Sequence, residues 1–129
     1  SFGDYSFSFY SDINDYGLKD WVKYSISGTN LLKETIVPTG TPLSYNQANK
    51  VTTTFMTNVR NQVEGIPLFT YYNDTYTGGN TGVVSATTGA IESVRLIGVK
   101  IRIDSDINQL PPVFEVSTQV SVRNLKIQQ

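Results

Sequence analysis

The chain has 129 residues, with ten Lys and Arg against eleven Asp and Glu for a net charge of −1, and it contains neither histidine nor cysteine. The missing imidazoles and thiols exclude Ser-His-Asp triads, Cys-His pairs, zinc held by His or Cys, and any disulfide framework. The balanced charge has no run longer than a pair, which argues against a nucleic-acid stripe or a polybasic membrane patch, and the length fits one domain over residues 1–129.

From Asp4 the chain alternates Tyr5, Phe7 and Phe9 against Ser6 and Ser8, a period of two that predicts a strand with one buried and one wet face. Asp12, Asn14, Asp15 and Gly17 gather where the alternation stops, as a turn does. It resumes over Asp20 to Ser27, with Val22, Tyr24 and Ile26 opposing Trp21, Lys23 and Ser25. Gly28-Thr29-Asn30 then forms a tight connection into a strand from Leu31 to Ile36, so the three segments read as an antiparallel meander. A polar loop follows from Val37 to Asn49, carrying Pro38, Gly40 and Pro42.

Val51, Phe55, Val59 and Val63 are spaced four apart, which suits a helix stripe and also shares strand parity. The reading favoured here is a short helix or turn around Thr54 to Asn61. Ile66 to Asn73 is a strand whose Pro67 marks its start or an edge. Residues 74–89, rich in Gly and Thr, read as a long surface loop.

Glu92 to Asp104 is expected to be one long strand. Val94 and Leu96 share one parity while Ile97, Val99, Ile101 and Ile103 share the other, and Gly98 at the change suggests a bulge. The last strand sets Phe114, Val116, Thr118, Val120 and Val122 against Glu115, Ser117, Gln119, Ser121 and Arg123, and is expected to pair with the preceding one. The fold class is therefore mainly β: an antiparallel sheet of six to seven strands with at most one short helix. Such amphipathic strands need a cover for their apolar face. Either two sheets pack as a sandwich, or a covering helix belongs to the complete protein, which would then be α+β.

The order of these segments resembles the globular part of a minor pilin or pseudopilin, the accessory subunits of type IV pili and type II secretion systems. The resemblance runs through F-Y-S-D-I-N-D-Y-G, W-V-K-Y-S-I-S-G-T-N-L-L-K-E, P-L-F-T-Y-Y-N, V-R-L-I-G-V-K-I-R-I-D and S-T-Q-V-S-V-R-N-L-K. It implies an apolar N-terminal helix ahead of Ser1 that anchors the subunit in the membrane and later packs into a filament. It also implies other pilin or pseudopilin subunits and the inner-membrane assembly machinery as partners, and a cell-surface filament as the location. The chain would then work by subunit contacts, with no catalysis, no cofactor and no nucleic acid. The alternative is an extracellular β-sandwich that binds carbohydrate or a cell surface.

Other candidates are fewer. Two loops carry clustered oxygen ligands that calcium would need, 12–17 and 104–115, the second with Asp104, Asp106, Asn108 and Glu115. In both the EF-hand spacing fails, at Tyr16 and Lys23 in the first and at Gln109 with Pro111 and Pro112 in the second, so plain loops are expected and no metal site is assigned. Arg95 and Arg123 read as charges on wet strand faces, and Asn73-Asp74-Thr75 is a glycosylation sequon. Tyr71, Tyr72 and Tyr76 could form an aromatic contact surface, although parity puts Tyr71 and Tyr72 on opposite faces. A carboxylate pair for glycosidase chemistry is not proposed by any motif.

Overall fold

The computed structural model describes residues 3–12, 17–79, 81–84, 93–104, 114–121 and 126–127. These form nine strands: β1 (Ser6–Ser11), β2 (Asp20–Ser27), β3 (Asn30–Ile36), β4 (Val51–Met56), β5 (Phe69–Tyr72), β6 (Val83–Val84), β7 (Leu96–Ile103), β8 (Phe114–Ser121) and β9 (Lys126–Ile127). The helical turns that lie wholly among them are a 3-10 turn at Gln47–Asn49 and the single-turn helix α1 (Asn61–Glu64). All strand pairings are antiparallel, in a five-stranded sheet ordered β4-β3-β2-β1-β9 and a four-stranded sheet ordered β6-β5-β7-β8. The mainly β class therefore holds. The strand count is higher than expected because two-residue strands, too short to leave a period in the sequence, complete the sheet margins.

The meander forms as its alternation requires. Gly28 and Thr29 span Ser27 and Asn30, and only Gly28 takes a positive φ (63°), the arrangement of a type II′ hairpin whose twist matches its strands. Phe7, Ile26 and Leu31 turn inward and meet Phe69, Tyr71, Val84 and Ile97 of the second sheet in one core, with Val59 and Leu68 between. Phe7 lies 5.8 Å from Phe69 and 6.1 Å from Tyr71 by ring centres. The two sheets thus cover one another over this central region. The first-sheet face expected to be wet is not uniformly so: Ser8 has no exposure, because a small hydroxyl inside the sheet is shielded by the longer side chains around it.

The outer face of the first sheet has its own cover at one end. Tyr10 and Trp21 pair in register, as do Trp21 and Ile36, and the 37–50 loop lays Tyr45 on Tyr10 at 5.1 Å. The Tyr45 hydroxyl donates to the Lys19 carbonyl at 2.7 Å, and Ile36 and Pro38 are buried beneath. Further along, Lys50 Nζ lies 2.9 Å from Glu34, which also faces Lys23 at 3.9 Å.

Three local expectations are corrected. Thr54 to Asn61 is not helical: β4 runs to Met56, and the helix begins only at Asn61. Four β-branched residues in Val51–Thr54 favour the strand, since they lose rotamer freedom in a helix. Gly98 makes no bulge, for β7 pairs with β5 and β8 in unbroken register through it. The parity change arises because Val94 precedes the strand, which starts at Leu96 after the non-strand residues Ser93 to Arg95, while Glu92 lies outside the described residues. The 74–89 segment is not all loop, since Val83–Val84 pairs with Tyr71 and Tyr72 as β6. No helix among the described residues is long and apolar enough to cross a membrane.

Candidate functional site

Two surfaces of the second sheet stand out, one on each face. On the core side, Ile97, Val99, Ile101 and Ile103 pair in register with Val120, Thr118, Val116 and Phe114 of β8. Pairing partners share a face, so Phe114, Val116 and Val120 point to the side where the core lies. The first sheet does not reach them. Every residue of β8 is exposed, Phe114 to 64%, and Phe55 of β4 is exposed to 56%. Between the sheets an apolar gap of about 180 Å³ is lined by Tyr24, Leu31, Phe55, Phe69, Val99 and Ile101. The Tyr24 ring meets the Phe55 ring edge-on at 5.8 Å.

Strand β8 is also a sheet margin, with no strand on its far side among the described residues. Proteins usually guard such margins with Lys, Pro or a bulge. Phe114–Ser121 has no Lys or Pro and keeps regular register, and its one charge, Glu115, is paired with Arg102 at 2.7 Å. Arg102 also binds Glu64 of α1, so one guanidinium ties helix, β7 and β8 together. Both carboxylates hold the Arg102 pKa above its ordinary value.

The opposite face carries the tyrosines. Tyr71 is core: it is 1% exposed, and its hydroxyl donates to the Gly3 carbonyl at 2.8 Å. Burial pushes its phenol pKa well up. Tyr72 faces outward, and the Tyr76 ring packs on it at 4.2 Å. Gln119 Nε2 donates to the Tyr76 hydroxyl at 2.9 Å, which links the pair to β8. The turn that returns Tyr76 to the sheet depends on Asn73, whose Oδ1 accepts from the Thr75 N–H and hydroxyl, and on Gly82, whose carbonyl accepts from Asn73 N–H. A β-carbon at Gly82 would sit 2.7 Å from Tyr76 N. The sequon asparagine is thus a turn residue.

The remaining candidates separate. Asp12 Oδ2 accepts the Gly17 N–H at 2.8 Å, as a turn-closing aspartate does, while Asn14, Asp15 and Tyr16 lie outside the described residues. Asp104 is buried and its Oδ1 has no hydrogen-bond partner, but Asp106, Asn108, Gln109, Pro111 and Pro112 lie outside the described residues, and Glu115 is engaged by Arg102. No group of three or more carboxylates suited to a metal occurs among the described residues. Arg95 is exposed beside β7, and Arg123 lies outside the described residues.

Sequence reasoning missed Arg102 and Asn61. Asn61 is fully buried, and its side chain bonds β7 backbone, which no periodicity could reveal. The uncovered state of β8 was equally hidden, since alternation shows that a strand has an apolar face and not what meets it. No family model, curated protein or solved structure matches this chain.

Proposed function

We propose that the chain is the globular domain of a minor pilin or pseudopilin, an assembly subunit that acts through contacts and not through chemistry. The observation that carries the reading is the uncovered apolar face of β8, continued by Phe55, on an unguarded sheet margin. A surface of this kind on one side of a sheet suits burial against an apolar helix, the element that the segment order implies. Covering Phe114, Val116 and Val120 would contribute on the order of 1 kcal/mol apiece from their exposed area.

The test is the coding sequence directly upstream of Ser1. A short basic leader followed by an apolar helix of ~20 residues supports the assembly role. A start codon, a secretory leader or another folded domain there overturns it. With the complete protein, Val116→Lys should then weaken incorporation into the filament while leaving the isolated domain folded, because the lysine lies on the exposed face.

The other reading, a carbohydrate-binding β module, is favoured by one observation, the outward pairing of Tyr72 with Tyr76.

A further inference from the structure

The outer face of the four-stranded sheet holds a shallow concavity of about 420 Å³. The register explains it. Thr70 pairs with Gly98 and Gly98 with Gln119, so the middle of this cross-strand row has no side chain. The next row sets Lys100 beside Ser117. The result is a dip floored by Gly98 and ringed by Thr70, Tyr72, Lys100, Ser117 and Gln119. Tyr72 forms its aromatic wall. A β-carbon at Gly98 would lie 3.2 Å from Tyr72 Cε2, so one edge of the ring comes close beside the glycine. Tyr76 packs behind that ring and is itself held by Gln119, so the wall is fixed before anything binds.

We propose that this dip binds a pyranose sugar and prefers one that carries a carboxylate. A pyranose has an apolar C–H face and a rim of hydroxyls. The dip offers the matching pair: one aromatic wall, and hydroxyl and amide groups from Thr70, Ser117 and Gln119 that both donate and accept. Its volume suits one or two sugar units. Among the described residues Lys100 is the one charged side chain in the lining and no carboxylate lines it, so the site favours an anion over a cation. A single ammonium acts as a point charge for one acidic group. A polyanion such as nucleic acid would call for a basic stripe, and the sequence shows no run of basic residues to supply one. This inference does not depend on the assembly reading; it deepens the carbohydrate-binding one and rests on the same Tyr72–Tyr76 pair.

The experiment is a titration of the ¹⁵N-labelled chain with trigalacturonate and, separately, with neutral cellotriose, followed by amide shifts. Saturable shifts at Thr70, Gly98, Lys100, Ser117 and Gln119 are expected, with trigalacturonate the tighter ligand. Lys100→Gln should remove that preference while keeping neutral-sugar binding. Tyr72→Phe should bind as the parent does, and Tyr72→Ala should bind about tenfold more weakly, the equivalent of one lost stacking contact. If Tyr72→Ala does not fold, Gln119→Ala on exposed β8 tests the same wall by releasing Tyr76. No saturable shift with either sugar at millimolar concentration, or shifts confined to other parts of the chain, would overturn the site. Equal binding of both sugars, or a preference that survives Lys100→Gln, would overturn the role given to Lys100.

Discussion

Asn61 Oδ1 accepts the backbone N–H of Arg102 at 2.9 Å, while Asn61 Nδ2 donates to the Lys100 carbonyl at 2.7 Å. One amide side chain thus bonds alternate backbone groups of β7 as a neighbouring strand would. It takes over where β5 stops pairing at Val99, and Arg60 N–H continues the series by donating to the Arg102 carbonyl. Asn61→Ala should strip the side-chain partner from the part-buried Arg102 N–H and from the Lys100 and Ile66 carbonyls, and lower stability by about 2–4 kcal/mol. Asn61→Asp, which keeps the acceptor and loses the donor, should be damaged too, because its anion would face the Lys100 carbonyl. Urea unfolding of both variants checks this, and a parent-like midpoint for Asn61→Ala would refute it.

Tyr71 predicts the alkaline limit of the fold. Burial, opposed by the hydrogen bond from Gly3 N–H and reinforced by Asp4, raises its pKa above the ordinary value. A raised folded-state value means stability that is fully present below the unfolded pKa of about 10 and lost as pH climbs above it. Tyr71→Phe should cost about 1–2 kcal/mol at neutral pH through lost hydrogen bonds. Above pH ~10, however, it should decline less steeply than the parent. Denaturant midpoints across the alkaline range would show it, and parallel curves would contradict the argument.

Two glycines separate backbone strain from lack of space. Gly28 has φ +63° with open surroundings, whereas Gly82 has φ +69° with Tyr76 N and Asn73 Oδ1 inside 3 Å of a β-carbon. Gly28→Ala should therefore cost about 1–3 kcal/mol, the positive-φ strain alone. Gly82→Ala should cost more and also shift the Tyr76 ring off Tyr72, visible as changed aromatic proton shifts. Equal costs would mean that the 73–82 turn yields freely.

Arg102 bridges Glu64 and Glu115 near solvent, where Coulomb attraction is screened. Arg102→Gln should lower the thermal midpoint only slightly, and the difference should shrink further with added salt. A large loss that salt does not change would assign Arg102 a packing role instead.

Much of the first sheet was legible because its strands alternate cleanly: Val22 and Ile26 are buried while Lys23 and Ser25 are not. Where two periods fit the same residues, as with Val51, Phe55 and Val59, spacing alone could not decide, and the β-branched threonines between them did. Parity correctly split Tyr71 from Tyr72 but could not say which faced the core. That depended on the second sheet packing against Phe7. Tyr76 reaches Tyr72 through the Asn73–Gly82 turn, a geometry that emerges only once Val83–Val84 joins β5.

The entry into β1 is fastened to both sheets. Gly3 holds the Tyr71 hydroxyl, and the Asp4 carbonyl accepts from Leu68 and Phe69 N–H, while the Tyr5 carbonyl accepts from Ile26 N–H. A pull on the N-terminal end would therefore not peel one strand from a margin. It would load bonds to both layers at once, with β1 itself held inside its sheet between β2 and β9. Such an arrangement resists tension by shear, so the domain should bear mechanical force along its N-terminal axis better than its modest size suggests.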